Sequence, residues 1–456
     1  MEFNPEVIGG VAIPPGEVIN GGPGEAVIEP EPLTTRQSLV YSSGNAGSGV
    51  FYAVNLYALP LFLAALNLPN VLINILSSTH SFEGTFIQPL VGTWSDRTWH
   101  ARWGRRRIFI LRFLPISIAL LALTPFIQPI AALIPGVPLL AVQAAVFVCI
   151  FLFSVTFNIM YDPYNALLAD ITPQRQRGSL NSIFQAVGAI GQVVFLLLGI
   201  GLGFAGVGAE PLFVAAAIII ALVFIPSVVG IREPHNLVGI KASHHYSFRD
   251  YWHSISGDRQ VTLYYATQLL LWLGINAISI NLTRFGKDVL GLPDAFTLIL
   301  PLILLLTTSL TYLPLIRIVN RINLKVLFLG GVVLMAGASI AAIFTQSVLL
   351  ICLILAVAGV GNAAQTVASF PLLTRVAYPD QMGLFTGINT ATTSISAPLS
   401  AIISGVVIDR FHFTALFPLL AVMFLLALVP LFFLNVEKSH AAQLLRQRAS
   451  PTQAST

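Results

Sequence analysis

Charge is what this sequence has least of. Asp, Glu, Lys and Arg make up 9% of its 456 residues, where a water-soluble globular chain carries roughly 25%. So few charges cannot cover a soluble body of this size. The 56% of hydrophobic residues also excludes intrinsic disorder, collagen-like repeats and coiled coils. Cysteine is nearly missing: Cys149 and Cys352 both lie inside apolar runs, which speaks against a disulfide framework or a zinc site. No phosphate-binding glycine loop, nucleophile–base constellation or metal-ligand spacing occurs, so no case arises for an ATP-driven pump, a metal centre, a membrane enzyme or a nucleic-acid binder. Lys and Arg are absent before Arg36, where Glu2, Glu6, Glu17, Glu25, Glu29 and Glu31 stand among frequent Pro and Gly. A secretory signal needs a basic start and an apolar stretch. Residues 1–34 have neither and read as a disordered acidic tail.

What is present is a series of long apolar runs. Twelve spans lie at about 37–65, 71–94, 106–130, 138–170, 180–205, 211–231, 259–283, 295–316, 325–345, 347–374, 383–408 and 414–435. Each is near or above the roughly 20 residues that cross a hydrocarbon core, and lipid-facing backbone forces a helical reading. The longest hydrophilic interruption, 232–258, separates a bundle at 35–231 from one at 259–436, with a second tail at 437–456. The expected fold is an all-α membrane protein of twelve transmembrane helices in two pseudo-symmetric six-helix bundles. With a cytoplasmic N-terminus, only Arg284, Lys287 and Arg410 of the 23 basic residues fall outside. The positive-inside rule therefore places both tails in the cytoplasm, and a plasma (inner) membrane location is expected.

The connection between spans two and three carries Gly92, Asp96, Arg97, Gly104, Arg105, Arg106 and Arg107. A carboxylate at a helix end beside guanidiniums forms charge-assisted pairs that open and close as helices slide, and the glycines allow close approach and turning. A gating loop is expected; a plain topology anchor is the alternative.

Only two acids, Glu83 and Asp162, lie inside apolar spans away from their ends. Glu83 precedes Asp96 by roughly 20 Å of helix, near mid-membrane, where a carboxylate marks an ion or substrate pathway. His80 sits one turn earlier on the same face. Asp162 precedes Pro163, which frees the carbonyl of Ile159. Glu83, His80 and Asp162 are the proton-coupling candidates. Packing is the alternative for His80, and a structural pair with Arg112 is the alternative for Asp162.

Uncharged polar stripes supply the substrate argument. Helix one presents Tyr41, Asn45, Ser48, Tyr52 and Asn55; helix four Ser154, Asn158, Asp162 and Asn165; helix five Asn181, Gln185, Gly188 and Gln192; helix seven Gln268, Trp272 and Asn276. Amides donate and accept, and aromatic rings cover the C–H faces of a pyranose. The substrate-binding candidates are Asn45, Tyr52, Asn55, Gln88, Asn158, Asn165, Gln185, Gln192, Gln268, Trp272 and Asn276. Any one of these amides serves helix packing equally well.

Several segments also resemble a known family. QPLVGTWSDRTWHARWGRRRIFI, beginning at Gln88, resembles the loop of the sucrose/proton symporters of plants and animals and their bacterial relatives. That branch of the major facilitator superfamily is related to the glycoside–pentoside–hexuronide cation symporters. The stretch from Asn158 to Gly191 resembles the family's fourth and fifth helices, YSSGNAG from Tyr41 its first helix with Asn45 in place of an acid, and MGLFTGIN from Met382 its eleventh. Departures are specific. The arginine and aspartate of the plant carriers' fourth helix correspond to Asn165 and Ser154, and a histidine before helix two corresponds to Asn70. The paired aspartates of the sodium-coupled melibiose-type carriers correspond to Gly84 and Gln88, so neither familiar ion site is intact. The resemblance implies a secondary active transporter of a sugar or glycoside, working by alternating access. With Glu83, the proton is the expected coupling ion in preference to sodium; no cofactor or metal and a monomeric state are expected. An uncoupled sugar facilitator, an exporter of amphipathic small molecules and a transporter-like sensor are the rivals.

Overall fold

Peptide groups in hydrocarbon must satisfy their hydrogen bonds within their own segment, so each apolar run winds into a helix. The computed structural model describes residues 19–21, 25–27, 30–81, 87–100, 102–206, 210–231, 233, 256–377 and 382–439. In chain order the helices are α1 (Thr35–Ala64), α2 (Asn70–Ser77), α3 (Gln88–Arg97), α4 (Arg107–Ala132), α5 (Leu139–Ile171), α6 (Gln174–Phe204) and α7 (Glu210–Gly230). The second bundle holds α8 (Arg259–Asp288), α9 (Asp294–Leu315), α10 (Leu324–Ile343), α11 (Val348–Val376), α12 (Met382–Phe411) and α13 (Leu416–Phe433). Among the described residues 11 helices are long and apolar enough to cross a membrane. The two shorter ones, α2 and α3, stand where the second span is expected. Glu83 falls between them, outside the described residues.

The two bundles repeat one packing plan. α1 packs on α6 and α7, and α4 on α5 and α7; six spans later α8 packs on α12 and α13, and α10 on α11 and α13. Each bundle has its own apolar core, the first built around Phe51, Phe157, Phe195 and Phe224, the second around Leu271, Phe328, Phe385 and Phe424. Outward positions such as Leu222, Val229, Leu310, Leu313, Phe432 and Phe433 are apolar and exposed, as the lipid-facing side of spanning helices is. α1 and α6 touch backbone to backbone: a Cβ on Gly49 would fall on the carbonyl oxygen of Gly188, so only glycine fits there.

Two local features depart from the sequence reading. Within the tail expected to be disordered, Ile19–Gly21 and Glu25–Val27 pair antiparallel, with Ile19 opposite Val27. Apolar β-branched residues favour such pairing. Second, α1 contains a π-helical turn over Val54–Ala58. Its wider i→i+5 turn breaks the 3.6-residue period of the helix-one stripe. Asn55 is turned inward and donates to the carbonyl of Phe51 on its own helix, at 2.9 Å.

Candidate functional site

A cavity of about 500 Å³ lies between the bundles. From the first bundle it takes Asn45, Ser48, Tyr52 and Tyr57 of α1, Tyr161 of α5, and Gln185, Gly188 and Gln192 of α6. From the second it takes Ser279 of α8, Thr308, Ser309 and Tyr312 of α9, Ser339 of α10, and Asn362 and Thr366 of α11. The rest of that wall is apolar, including Ile275, Leu304, Met335, Leu355, Phe417 and Phe424. None of the described lining residues is Asp, Glu, Lys, Arg or His.

Four sequence candidates line this space: Asn45, Tyr52, Gln185 and Gln192. Asn45 is a junction. Its Nδ2 donates to the carbonyl of Phe184 on α6 at 2.7 Å, and its Oδ1 accepts from the hydroxyl of Tyr161 on α5 at 2.9 Å. An acid at this position could not donate to the Phe184 carbonyl unless it were protonated. Nearby, the Tyr41 hydroxyl donates to the carbonyl of Tyr164 at 2.7 Å, and Ser227 of α7 donates to the carbonyl of Tyr41 at 2.7 Å. These bonds hold α1, α5, α6 and α7 at one rotation and so aim Tyr161 and Gln185 at the cavity.

The other candidates are placed elsewhere. Gln268 donates to the hydroxyl of Tyr264, at 2.7 Å, and to Ser369. Asn276 donates to Ser396 of α12 at 3.0 Å. Both tie α8 to its neighbours, as buried amides between helices do. Trp272 and Asn165 are half-buried and outside the cavity lining. Asn158 and Asp162 are buried on α5 on the face of Ser154, whose hydroxyl meets that of Thr79 at 2.7 Å. That face is turned to span two, one helical position away from Tyr161, which faces the cavity. His80 and Gln88 sit in described backbone, but their side chains lie outside the described residues. Tyr57, Tyr161, Thr308, Tyr312, Asn362 and Thr366 also line the cavity and stand outside the stripes. Thr308 with Tyr312 and Asn362 with Thr366 stand at i, i+4 spacing, a signal that could have found them. Tyr57 follows Tyr52 by five residues, the period of the π turn.

Arg112 is not the partner of Asp162. It is exposed and makes no ion pair among the described residues, because its helical position turns it away from α5.

The loop between α3 and α4 is built around ion pairs. His100 and Gly104 exchange two backbone hydrogen bonds, 3.2 and 2.9 Å, with Gly104 at a φ of +72°. Arg105 and Arg106 both reach Asp170 at the end of α5, at 3.0 and 3.1 Å. Arg106 also donates to Ser95 of α3, and its backbone N–H points at both carboxylate oxygens of Glu233, 3.3 and 3.1 Å away. Burial pushes the Glu233 carboxyl up, opposed by those backbone donors. Arg107 donates to the carbonyl of Val228 of α7 at 2.7 Å and lies 5.0 Å from the Trp103 ring centroid. Every partner just named belongs to the first bundle. Asp96 and Arg97 lie in α3, with side chains outside the described residues. Gly92 has open space where a Cβ would stand, so close packing does not require it. Gly104 differs: a Cβ there would meet the Glu233 carboxylate. Gly104→Ala should cost about 1–2 kcal/mol through the left-handed backbone, read as a lowered melting temperature in detergent; an unchanged value would remove the steric argument.

At the opposite end, away from both termini, the bundles are hydrogen-bonded to each other. The Asp409 carboxylate of α12 accepts from the backbone N–H groups of Asn70 (3.1 Å) and Val71 (3.3 Å), and from the Asn70 side chain. Arg284 of α8 donates to the Asn70 side-chain carbonyl oxygen and lies 4.6 Å from the Phe413 ring centroid. One turn deeper, Asn74 donates to Ser404 at 3.1 Å. The cavity therefore lies on the termini side of an end that these contacts close.

The profile of the Major Facilitator Superfamily matches residues 42–321 and 302–455. No curated protein matches significantly. The fold is similar to that of a mutant of the nucleoside transporter NupG, at 13% identity and TM-score 0.66, over 87% of this chain and 98% of that one. A bacterial homologue of the iron transporter ferroportin in an inward-facing state gives 14% identity and TM-score 0.67, over 88% and 98%. A POT family transporter in complex with a thioalcohol-conjugated peptide gives 12% and 0.66, over 87% and 96%. With two bundles that repeat one packing plan, a cavity between them and a profile that spans nearly the whole chain, this protein belongs to the Major Facilitator Superfamily.

Proposed function

We propose that this carrier moves a sugar or glycoside across the plasma membrane by alternating access, in symport with protons. The observation that carries the substrate class is the uncharged cavity lined by amides, hydroxyls and tyrosine rings. A neutral polyol needs many donors and acceptors and no counter-charge, and rings stack on its C–H faces. Gln185 and Gln192 line the cavity and make no hydrogen bond among the described residues, whereas Asn45 is engaged at both ends of its amide. The coupling reading rests on Asp162, buried on the α5 face turned to span two, the span whose sequence includes His80 and Glu83. With cytoplasmic termini, the sealed end is extracellular and this state faces inward.

Counterflow in proteoliposomes against mono- and disaccharides tests the substrate class; no counterflow by any of them would overturn it. Gln192→Ala should raise KM roughly fivefold, the loss of one hydrogen bond to substrate, at unchanged expression. Gln268→Ala should instead lower thermal stability and leave KM alone. The reverse pattern would place the binding site elsewhere.

A second reading has its own observation. The second-bundle wall carries Ile275, Leu304, Met335, Phe417 and Phe424, which suits an amphipathic solute. Export of alkyl glycosides in place of simple sugars would favour it.

A further inference from the structure

α4 carries a charge on a face that lipid should cover. Arg112, Ile116, Ala119 and Leu123 are all exposed, at the i, i+4, i+7, i+11 spacing of one helix face. Ile116 and Leu123 are 48% and 46% exposed. α4 packs on α5 and α7 of its own bundle and contributes no side chain to the cavity, so the stripe faces acyl chains. Arg112 heads it, about 7.5 Å from the start of the helix. It makes no hydrogen bond or ion pair among the described residues. A guanidinium unpaired in hydrocarbon is costly, and extending toward the headgroup layer relieves the cost.

A second observation marks the same place. Trp94 of α3 is 48% exposed and packs edge-on against Phe109 and Phe113, with centroids 4.7 and 5.9 Å away. Phe109 and Phe113 stand three residues before Arg112 and one after it on α4, so Trp94 rests on the same stretch of that helix. Leu90, one turn before Trp94, is exposed too. Tryptophans are enriched at the headgroup level of membrane interfaces.

We infer that Arg112 and Trp94 form a binding site for one anionic phospholipid. The guanidinium takes the headgroup phosphate through its paired N–H groups, and the indole lies along the glycerol and upper acyl segments. Free phosphate offers the same oxygens but nothing to cover Trp94 and Leu90. A choline headgroup brings its own cation to the phosphate and gains less from Arg112.

The test is tryptophan quenching in the full chain, reconstituted in phosphatidylcholine nanodiscs with a small fraction of brominated phosphatidylglycerol or brominated phosphatidylcholine. The anionic lipid should quench about fivefold more effectively at equal fraction, the preference that one basic residue near the surface supports. Arg112→Gln should abolish the difference and Arg112→Lys should keep it. Trp94→Phe should remove most of it. Arg102→Gln, a loop cation resting on Trp103, should leave it intact, and added inorganic phosphate should change nothing. Equal quenching in the wild type, a difference that survives Arg112→Gln or Trp94→Phe, or displacement by phosphate would each overturn the site.

Discussion

Asp170→Ala should lower the stability of the solubilised protein by about 3 kcal/mol, the largest loss expected from a single polar change in this chain. Asp170 receives both Arg105 and Arg106, and the three side chains are only about one-tenth exposed, at 12%, 12% and 10%. Removing the carboxylate leaves two guanidiniums with Glu233 as the nearby acid, itself held 3.7 Å from Arg105. Partly buried cations without partners account for most of the cost. Asp170→Asn keeps an acceptor oxygen and should lose roughly half as much. Because these pairs join α3, α4, α5 and the end of α7 within one bundle, the damage should appear as a lower melting temperature and poorer expression. Substrate KM in the surviving protein should stay near wild type. A normal melting temperature in Asp170→Ala would show that the arginines have other partners in the membrane.

Asp409→Ala should act on the conformational equilibrium instead. The residue before α2 is Pro69, which has no side chain able to cap the helix. The first backbone N–H groups of α2 are satisfied by Asp409, a carboxylate from the other bundle. This is an N-cap supplied across the interface, and it exists only while this end is closed. Its charge also suits the helix N-terminus and the Arg284 guanidinium beside it. Losing about 1.4 kcal/mol from the closed state alone shifts the populations roughly tenfold toward opening at this end. Spin labels in the 65–69 connection and at His412 should report a longer distance in a larger share of molecules. An unchanged distance distribution would show that the apolar contacts of α2 with α12 hold the seal without Asp409. Both bundles should remain folded, so the melting temperature should change much less than in Asp170→Ala.

The sequence by itself determined the fold class, the position of nearly every span and the division into two bundles. These follow from composition and run length, because the bilayer imposes one thickness and one solution to backbone hydrogen bonding. It also determined that the polar residues of the interior are mostly neutral, and it singled out Asn45, Tyr52, Gln185 and Gln192. Tertiary structure decided which polar face of each helix meets the cavity. That is a matter of rotation about the helix axis, and a step of one residue turns a side chain by about 100°. On α5 the cavity face lies one position from the polar stripe of the fourth span: Tyr161 lines the cavity and Asn158 is buried. A single π turn moved the helix-one stripe from Asn55 to Tyr57. Packing also decided between partners that sequence leaves equivalent: Arg112 faces outward, and Asp170 and Glu233 take the loop arginines. Long-range pairs of this kind join residues far apart in the chain, and no local spacing encodes them. The seal at Asn70 and Asp409, more than 300 residues apart, is the clearest instance: each looks like an ordinary helix-end residue until the two bundles meet.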